Sequence, residues 1–302
     1  MSLLVVGSVA FDSVETPFDK IEKALGGSAT FCSIAASYFS DDVKMIGVVG
    51  DDFGEQNIQM LKNHKVDISG LEIVEGEKTF SYGCVYRDDM NVRDTLFTDL
   101  NVFEKFDPVI PDAMKEIPYL LLGNIMPALQ LKVLDQMTNL KFTVCDTMNL
   151  WINITREDLL KVMKRVNVLV INDSEAKMLA EENSLIKAAK KVMEMGPEYL
   201  IIKKGEHGAL LFGEGKIFSA PAYPLETVFD PTGAGDSFAG GFTGFLINEK
   251  EINFETMKKA VIYGSTLASF CVEKFSTQGI EKLEKVKIEN RFNEFIKFSK
   301  VD

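Results

Sequence analysis

Hydrophobic positions along the chain fall into two kinds of run. Short unbroken runs recur: LLVVG (3–7), VKMIGVVG (43–50), YLLLG (119–123), FTVCD (142–146), VNVLVIN (166–172) and YLIIKKG (199–205). Continuous rather than alternating apolar runs predict strands covered on both faces. Stretches with helical spacing lie between them. Residues 52–64 set apolar Phe53, Ile58 and Leu61 among polar neighbours. Residues 184–196 begin at Ser184, a cap-type residue, and stop at Gly196-Pro197. Strand and helix in turn predict a mostly parallel sheet with helices on both faces, a three-layer α/β/α sandwich.

One region breaks the rhythm. From Leu71 to Phe106 the chain is rich in Thr, Phe, Tyr and Val and is interrupted by the turn clusters EGE and RDDMN. That pattern predicts antiparallel hairpins inserted in the α/β frame. Residues 11–27 also resemble short strands rather than a crossover helix. Together, roughly 11–25 and 71–106 form the expected small β lid over the main sheet, within one domain over 1–302. A surface excursion without function is the alternative.

Composition narrows the function. A chain of 302 residues buries a large core, and 46% apolar with 26% charged residues is ordinary for a globular protein. A formal charge of −12 disfavours nucleic acid, which needs a basic stripe. No apolar run approaches the roughly 20 residues that span a bilayer, and the N-terminus lacks the charged region of a signal peptide. The four cysteines (Cys32, Cys84, Cys145, Cys271) stand far apart, with neither zinc spacing nor a dense disulfide framework, so reduced thiols in a cytoplasmic protein are expected. With only His64 and His207, a multi-histidine metal site within the chain is not expected.

The chemistry concentrates in FDPTGAGDSFAGGF, residues 229–242. Gly233, Ala234 and Gly235 lead into a predicted helix over 236–248, with Phe238, Phe242, Phe245 and Leu246 as its buried stripe. Backbone amides at a helix start bind anions, and glycine lets them come close. Asp236 beside such a hole is expected to stay ionised, because the helix dipole favours its charge. It then accepts the proton of a hydroxyl that attacks a bound phosphoryl group. On its own, Gly-x-Gly-Asp reads equally as a glycine turn with a capping acid. No Gly-x-x-x-x-Gly-Lys-[Ser/Thr] is present, and GSVAFD after the first strand is not the dinucleotide fingerprint.

DPTGAGDSFAGGF strongly resembles the C-terminal signature of the ribokinase-like, or PfkB, family of carbohydrate and nucleoside kinases. GGSATFCSIAA (26–36) resembles the N-terminal glycine signature, and NDSEA (172–176) the Asn-x-x-Glu element. The three stand in the family's order, and the resemblance covers nearly the whole chain. It implies a ribokinase-like fold, with Asp236 as catalytic base and Gly233, Ala234 and Gly235 around the transferring phosphate. It implies Asn172 and Glu175 near Mg²⁺ and its waters, and Asp12, Gly26 and Gly27 on the substrate hydroxyls. Without the resemblance, NDSE reads as an ordinary helix start and Asp12 as a loop acid.

KKGEHG (203–208) resembles a strand-end element near ATP, with Lys203, Gly205 and Gly208 as the implied nucleotide contacts. His207 reads as a solvated loop residue. FSTQG (275–279) is a weak match to the adenine side. Asp230 and Thr232 match positions that hold a monovalent cation, such as K⁺, in some members. One departure stands out: the family usually has Asn where this chain has Phe31, so Phe31 is expected in the substrate pocket, as added apolar surface. The alternative places Phe31 in the core of the first helix. The lid aromatics Phe80, Tyr82, Tyr86 and Phe97 would cover an apolar ring or base, or simply pack the sheet. The expected function is an ATP-dependent, Mg²⁺-requiring kinase acting on the hydroxymethyl group of a sugar or sugar-like compound. A nucleoside kinase is the near rival and a silent sugar- or nucleotide-binding regulator the distant one. A homodimer through the lid is the expected assembly.

Overall fold

The computed structural model describes residues 1–87 and 89–298. Asp88 of the RDDMN turn and the last four residues of the expected domain lie outside the described residues.

Among the described residues, nine strands form the main sheet. In spatial order they are β13 (Lys216–Ala220), β12 (Ala209–Gly213), β11 (Tyr199–Lys203), β10 (Val168–Asn172), β9 (Phe142–Asp146), β8 (Tyr119–Leu122), β1 (Leu3–Val6), β4 (Val43–Gly50) and β5 (Val66–Val74). Every pairing from β11 through β5 is parallel, and β12 and β13 add antiparallel to one edge. The apolar runs are unbroken because successive residues feed opposite cores. Leu3, Val5, Leu121, Val168 and Ile201 join one core with the helices Ser28–Ser37, Ala234–Leu246 and Phe254–Cys271. Leu4, Val6, Leu122, Leu169 and Ile202 join the other with Pro127–Gln136, Asp173–Ala180 and Leu185–Glu194. The chain is thus a three-layer α/β/α sandwich.

A second, four-stranded sheet has the order β3 (Lys20–Gly26), β2 (Ala10–Glu15), β6 (Phe80–Tyr86) and β7 (Arg93–Asp99). The pairs β2–β3 and β6–β7 are antiparallel, but the central pair β2–β6 is parallel. The expected lid bounds need correction at both ends of their second segment. Residues 71–74 belong to β5 of the main sheet, where Leu71 pairs with Gly47. Asn101–Lys105 is a 3₁₀ turn, and Phe103 stacks between Phe80 and Phe106. Ser184 precedes its helix without a capping side-chain bond. Along Ala234–Leu246, Phe238, Phe242 and Leu246 are buried, whereas Phe245 is half-buried and stacks on Tyr263.

Candidate active site

The carboxyl ends of the central strands bring three polar side chains to one rim. Asp146 ends β9, Asn172 ends β10 and Lys203 ends β11, with Val170 opposite Asp146 and Asn172 opposite Lys203. The Lys203 ammonium reaches back across β10 to Asp146 Oδ2 at 3.4 Å. A crevice outside the carboxyl ends of a parallel sheet is the usual ligand site of such folds.

The glycine stretch closes this rim. Gly233 caps the helix Ala234–Leu246 in a left-handed conformation, φ +76°, which glycine adopts without Cβ strain. The Ala234 amide is engaged by the Pro231 carbonyl at 3.2 Å, so the helix-start amides beyond it belong to Gly235 and Asp236. A Cβ on Gly235 would lie 2.7 Å from Lys203 Nζ: the ammonium sits directly against the loop. The loop is anchored below by Asp230, fully buried, whose two carboxylate oxygens accept the Thr232 and Ser276 amides at 2.8 and 2.9 Å.

Asp236 is half-buried in the first turn. Burial first, and Asp146 second, raise its pKa well above the usual carboxylate range, against the pull of Lys203 and Arg93. The dipole argument for a fully ionised Asp236 is therefore corrected: desolvation outweighs the helix start in the protein alone. Glu175 and Asn172 form a reciprocal capping box on Asp173–Ala180, with both bonds at 2.8 Å. Burial raises Glu175 to about 7, with Lys203 opposing. Burial works against the charge of Lys203, but Asp146, Glu175 and Asp236 outweigh it and hold its pKa up. Asn172 and Glu175 set side-chain oxygens beside the Lys203 rim, the ligand type that Mg²⁺ takes.

Asp12 projects from β2. A Cβ on Gly26 would overlap its carboxylate, at 2.0 Å from Oδ2, so glycine is required there. Burial raises Asp12 to about 7, and Asp230 and Asp236 add to the effect. Gly27, φ +91°, leads into the helix Ser28–Ser37. Gly205 and Gly208, also at positive φ, turn the chain after β11, and His207 between them is exposed.

Phe31 does not line an open pocket. It is 1% exposed, packs in the main core, and its ring lies under Gly233, where a Cβ would come within 2.4 Å. Burial of so large an apolar side chain is its more favourable placement, and its contact is with the glycine loop. The site also holds residues that sequence reasoning left out. Asp146 was legible only as an acid at the end of a buried run. Arg93 carries no motif, and Tyr86, expected only as a lid aromatic, has its Oη accept from Thr232 Oγ1 at 3.4 Å.

The profile of the pfkB family carbohydrate kinases matches residues 2–283. The chain belongs to that family. This pfkB-family kinase is a phosphotransferase with an alcohol group as acceptor. It is 30% identical over 247 residues to the cytidine kinase of Thermococcus kodakarensis, covering 80% of this chain and 87% of the relative. Among solved structures, the nucleoside kinase of Methanocaldococcus jannaschii superposes with a TM-score of 0.77 at 21% identity, covering 97% of the kinase and 99% of that chain. Arabidopsis thaliana ribokinase complexed with ribose and ATP superposes with a TM-score of 0.76 at 18% identity, covering 96% and 98%. Both establish the ribokinase-like fold. Among the described residues of the kinase, no helix is long and apolar enough to cross a membrane, and the four cysteines are free and buried.

Proposed function

We propose that this kinase transfers the γ-phosphoryl group of ATP to the hydroxymethyl group of a nucleoside, with a free sugar as the second candidate. One observation carries the chemistry: Asp236 follows a glycine-capped helix start against which the Lys203 ammonium is packed. Asp12, Gly26 and Gly27 hold acceptor hydroxyls. The acceptor oxygen attacks the γ-phosphorus as its proton passes to the Asp236 carboxylate, and the bond to the ADP oxygen breaks. The Gly235 and Asp236 amides and Lys203 meet the charge of the moving group. Gly233 shapes that loop, and Gly205 and Gly208 admit the nucleotide beside it. Asn172 and Glu175 would hold Mg²⁺ through water, and the ion would supply charge to shield the phosphates. The Lys203 ammonium pulls Asp236 toward the ionised form that accepts the hydroxyl proton.

The 30% identity to a cytidine kinase moves the nucleoside ahead of the sugar that the signatures alone put first. A K⁺ ion is the candidate monovalent partner of Asp230 and Thr232. The reading includes a cytoplasmic setting and a homodimer through the exposed lid edge β7. ATP turnover over a panel of nucleosides and free sugars, with and without K⁺, tests it. A preference for cytidine-like acceptors is expected. Turnover on ribose or fructose alone would reverse the order, and none on any acceptor would leave the silent binder.

A further inference from the structure

The inner face of the lid carries one charge that the proposed mechanism leaves unused. In the parallel β2–β6 pair, Asp12 stands opposite Tyr82, and in the β6–β7 pair, Tyr86 stands opposite Arg93. Strand pairing puts opposed residues on one face, so Arg93 shares the face of Asp12. One contact of its own and one of its neighbour fix it there. Its guanidinium carbon lies 5.7 Å from the Tyr82 ring centroid, a cation–π distance, and its neighbour Tyr86 bonds Thr232 of the glycine loop at 3.4 Å. The same hairpin reaches the opposite wall at its tip, where Asn91 Oδ1 lies 2.3 Å from the place of a Cβ on Gly205. One hairpin therefore touches both the Asp236 loop and the nucleotide-side loop. Arg93 itself is exposed, and its charge favours the ionised forms of Asp12, Glu175 and Asp236 together.

We propose that Arg93 is a further catalytic residue, carried by the lid to the transferring phosphoryl group on the side away from Lys203. The proposal rests on the kinase reading above. A phosphoryl group in flight spreads negative charge over three equatorial oxygens. Lys203 and the loop amides reach it from the main sheet, and a planar guanidinium from the lid can bond two of those oxygens at once. Transfer then becomes fast only with the lid in place, which disfavours transfer to water.

The test compares wild type with Arg93→Ala and Arg93→Lys. Isothermal titration with MgADP, alone and with aluminium fluoride as a planar phosphoryl mimic, reads the contact without an acceptor. Arg93→Ala is expected to leave MgADP affinity within about threefold and to weaken the fluoride complex about 10²-fold, the scale of one charge-stabilising donor. Arg93→Lys falls between. In turnover, kcat drops by a similar factor with the acceptor KM little changed, and the melting temperature holds because Arg93 lies on an exposed strand. Equal weakening of both titrations would overturn the role, as would a raised acceptor KM with kcat intact, which would make Arg93 an acceptor anchor. A wild type that transfers phosphate to no acceptor sinks the kinase reading instead; a fully active Arg93→Ala sinks only this one.

Discussion

Replacing Gly233 by alanine measures how firmly Phe31 supports the glycine loop. A left-handed backbone, φ +76° here, costs a residue with a Cβ about 1–2 kcal/mol. The new methyl would also start 2.4 Å from Cε1 and Cζ of Phe31 and 2.5 Å from Cδ1. That ring is 1% exposed and close-packed, so it cannot swing clear, and overpacking of this kind adds about 1–3 kcal/mol. Gly233→Ala should therefore cost about 2–5 kcal/mol in wild type. Phe31→Ala alone costs about 3–5 kcal/mol. It also removes the ring, leaving only the backbone part, about 1–2 kcal/mol, for Gly233→Ala in the double variant. Urea denaturation of the four proteins should return a coupling of about 1–3 kcal/mol. Because the same loop carries Asp236, Gly233→Ala should also lower kcat. If it costs the same in both backgrounds, the ring does not support the loop. A Phe31→Ala variant of full stability and sharply raised acceptor KM would put Phe31 back in the pocket.

Asp236→Asn keeps the size of the side chain but loses its proton affinity, so turnover should fall about 10²–10⁴-fold while calorimetry still detects ATP binding. Glu175→Gln can still accept the Asn172 amide, so the capping box survives; its loss shows as a higher Mg²⁺ requirement, and an unchanged Mg²⁺ titration would leave Glu175 a helix cap only. Asp12 binds its proton more tightly in the folded protein, with a pKa of about 7, than an ordinary aspartate does at 3.8. Its contribution to stability is therefore full below about pH 4 and lost as pH rises toward 7. At 1.36 kcal/mol per pKa unit the swing is on the order of a few kcal/mol. Without nucleotide, Asp12→Asn should flatten the decline in urea midpoint between about pH 4 and 7, and a decline of unaltered slope would refute the burial argument.

The legible parts of the fold are those whose signal is local. The runs at 43–50 and 142–146 announce themselves because both faces of those strands are buried. Strands β5 and β13 escape notice because exposed positions punctuate them, and β12 follows β11 too closely to stand out. The GAGD loop is legible because its chemistry needs closely spaced glycines at a helix start. Asp146 is not, since a single acid after a strand has many uses and only the fold brings Lys203 to it. Phe31 shows the limit of reading a position through a motif: the missing Asn was visible, the Gly233 contact that replaces it was not. Arg93 is invisible for a further reason. Its place depends on the β2–β6 register, which joins residues 70 apart in the chain.

That register also sets how the lid comes and goes. Between β2 and β6 lie β4 and β5 of the main sheet, so the lid cannot form as a local hairpin. A loop of 70 residues has to close first, at an entropic cost that local contacts do not offset. In return the lid buries little: its own cluster is Val14, Cys84 and Tyr86, and every residue of β7 is exposed. The lid is therefore expected to fold after the main sheet and to open locally before it. Native-state hydrogen exchange will find the β7 amides opening well below the free energy of the main sheet. Opening there withdraws Arg93 and frees Tyr86 from Thr232, while Asp236, Lys203 and Asp146 stay seated on the folded sandwich. A lid that melts and re-forms lets acceptor and product pass without disturbing the sheet that holds the base.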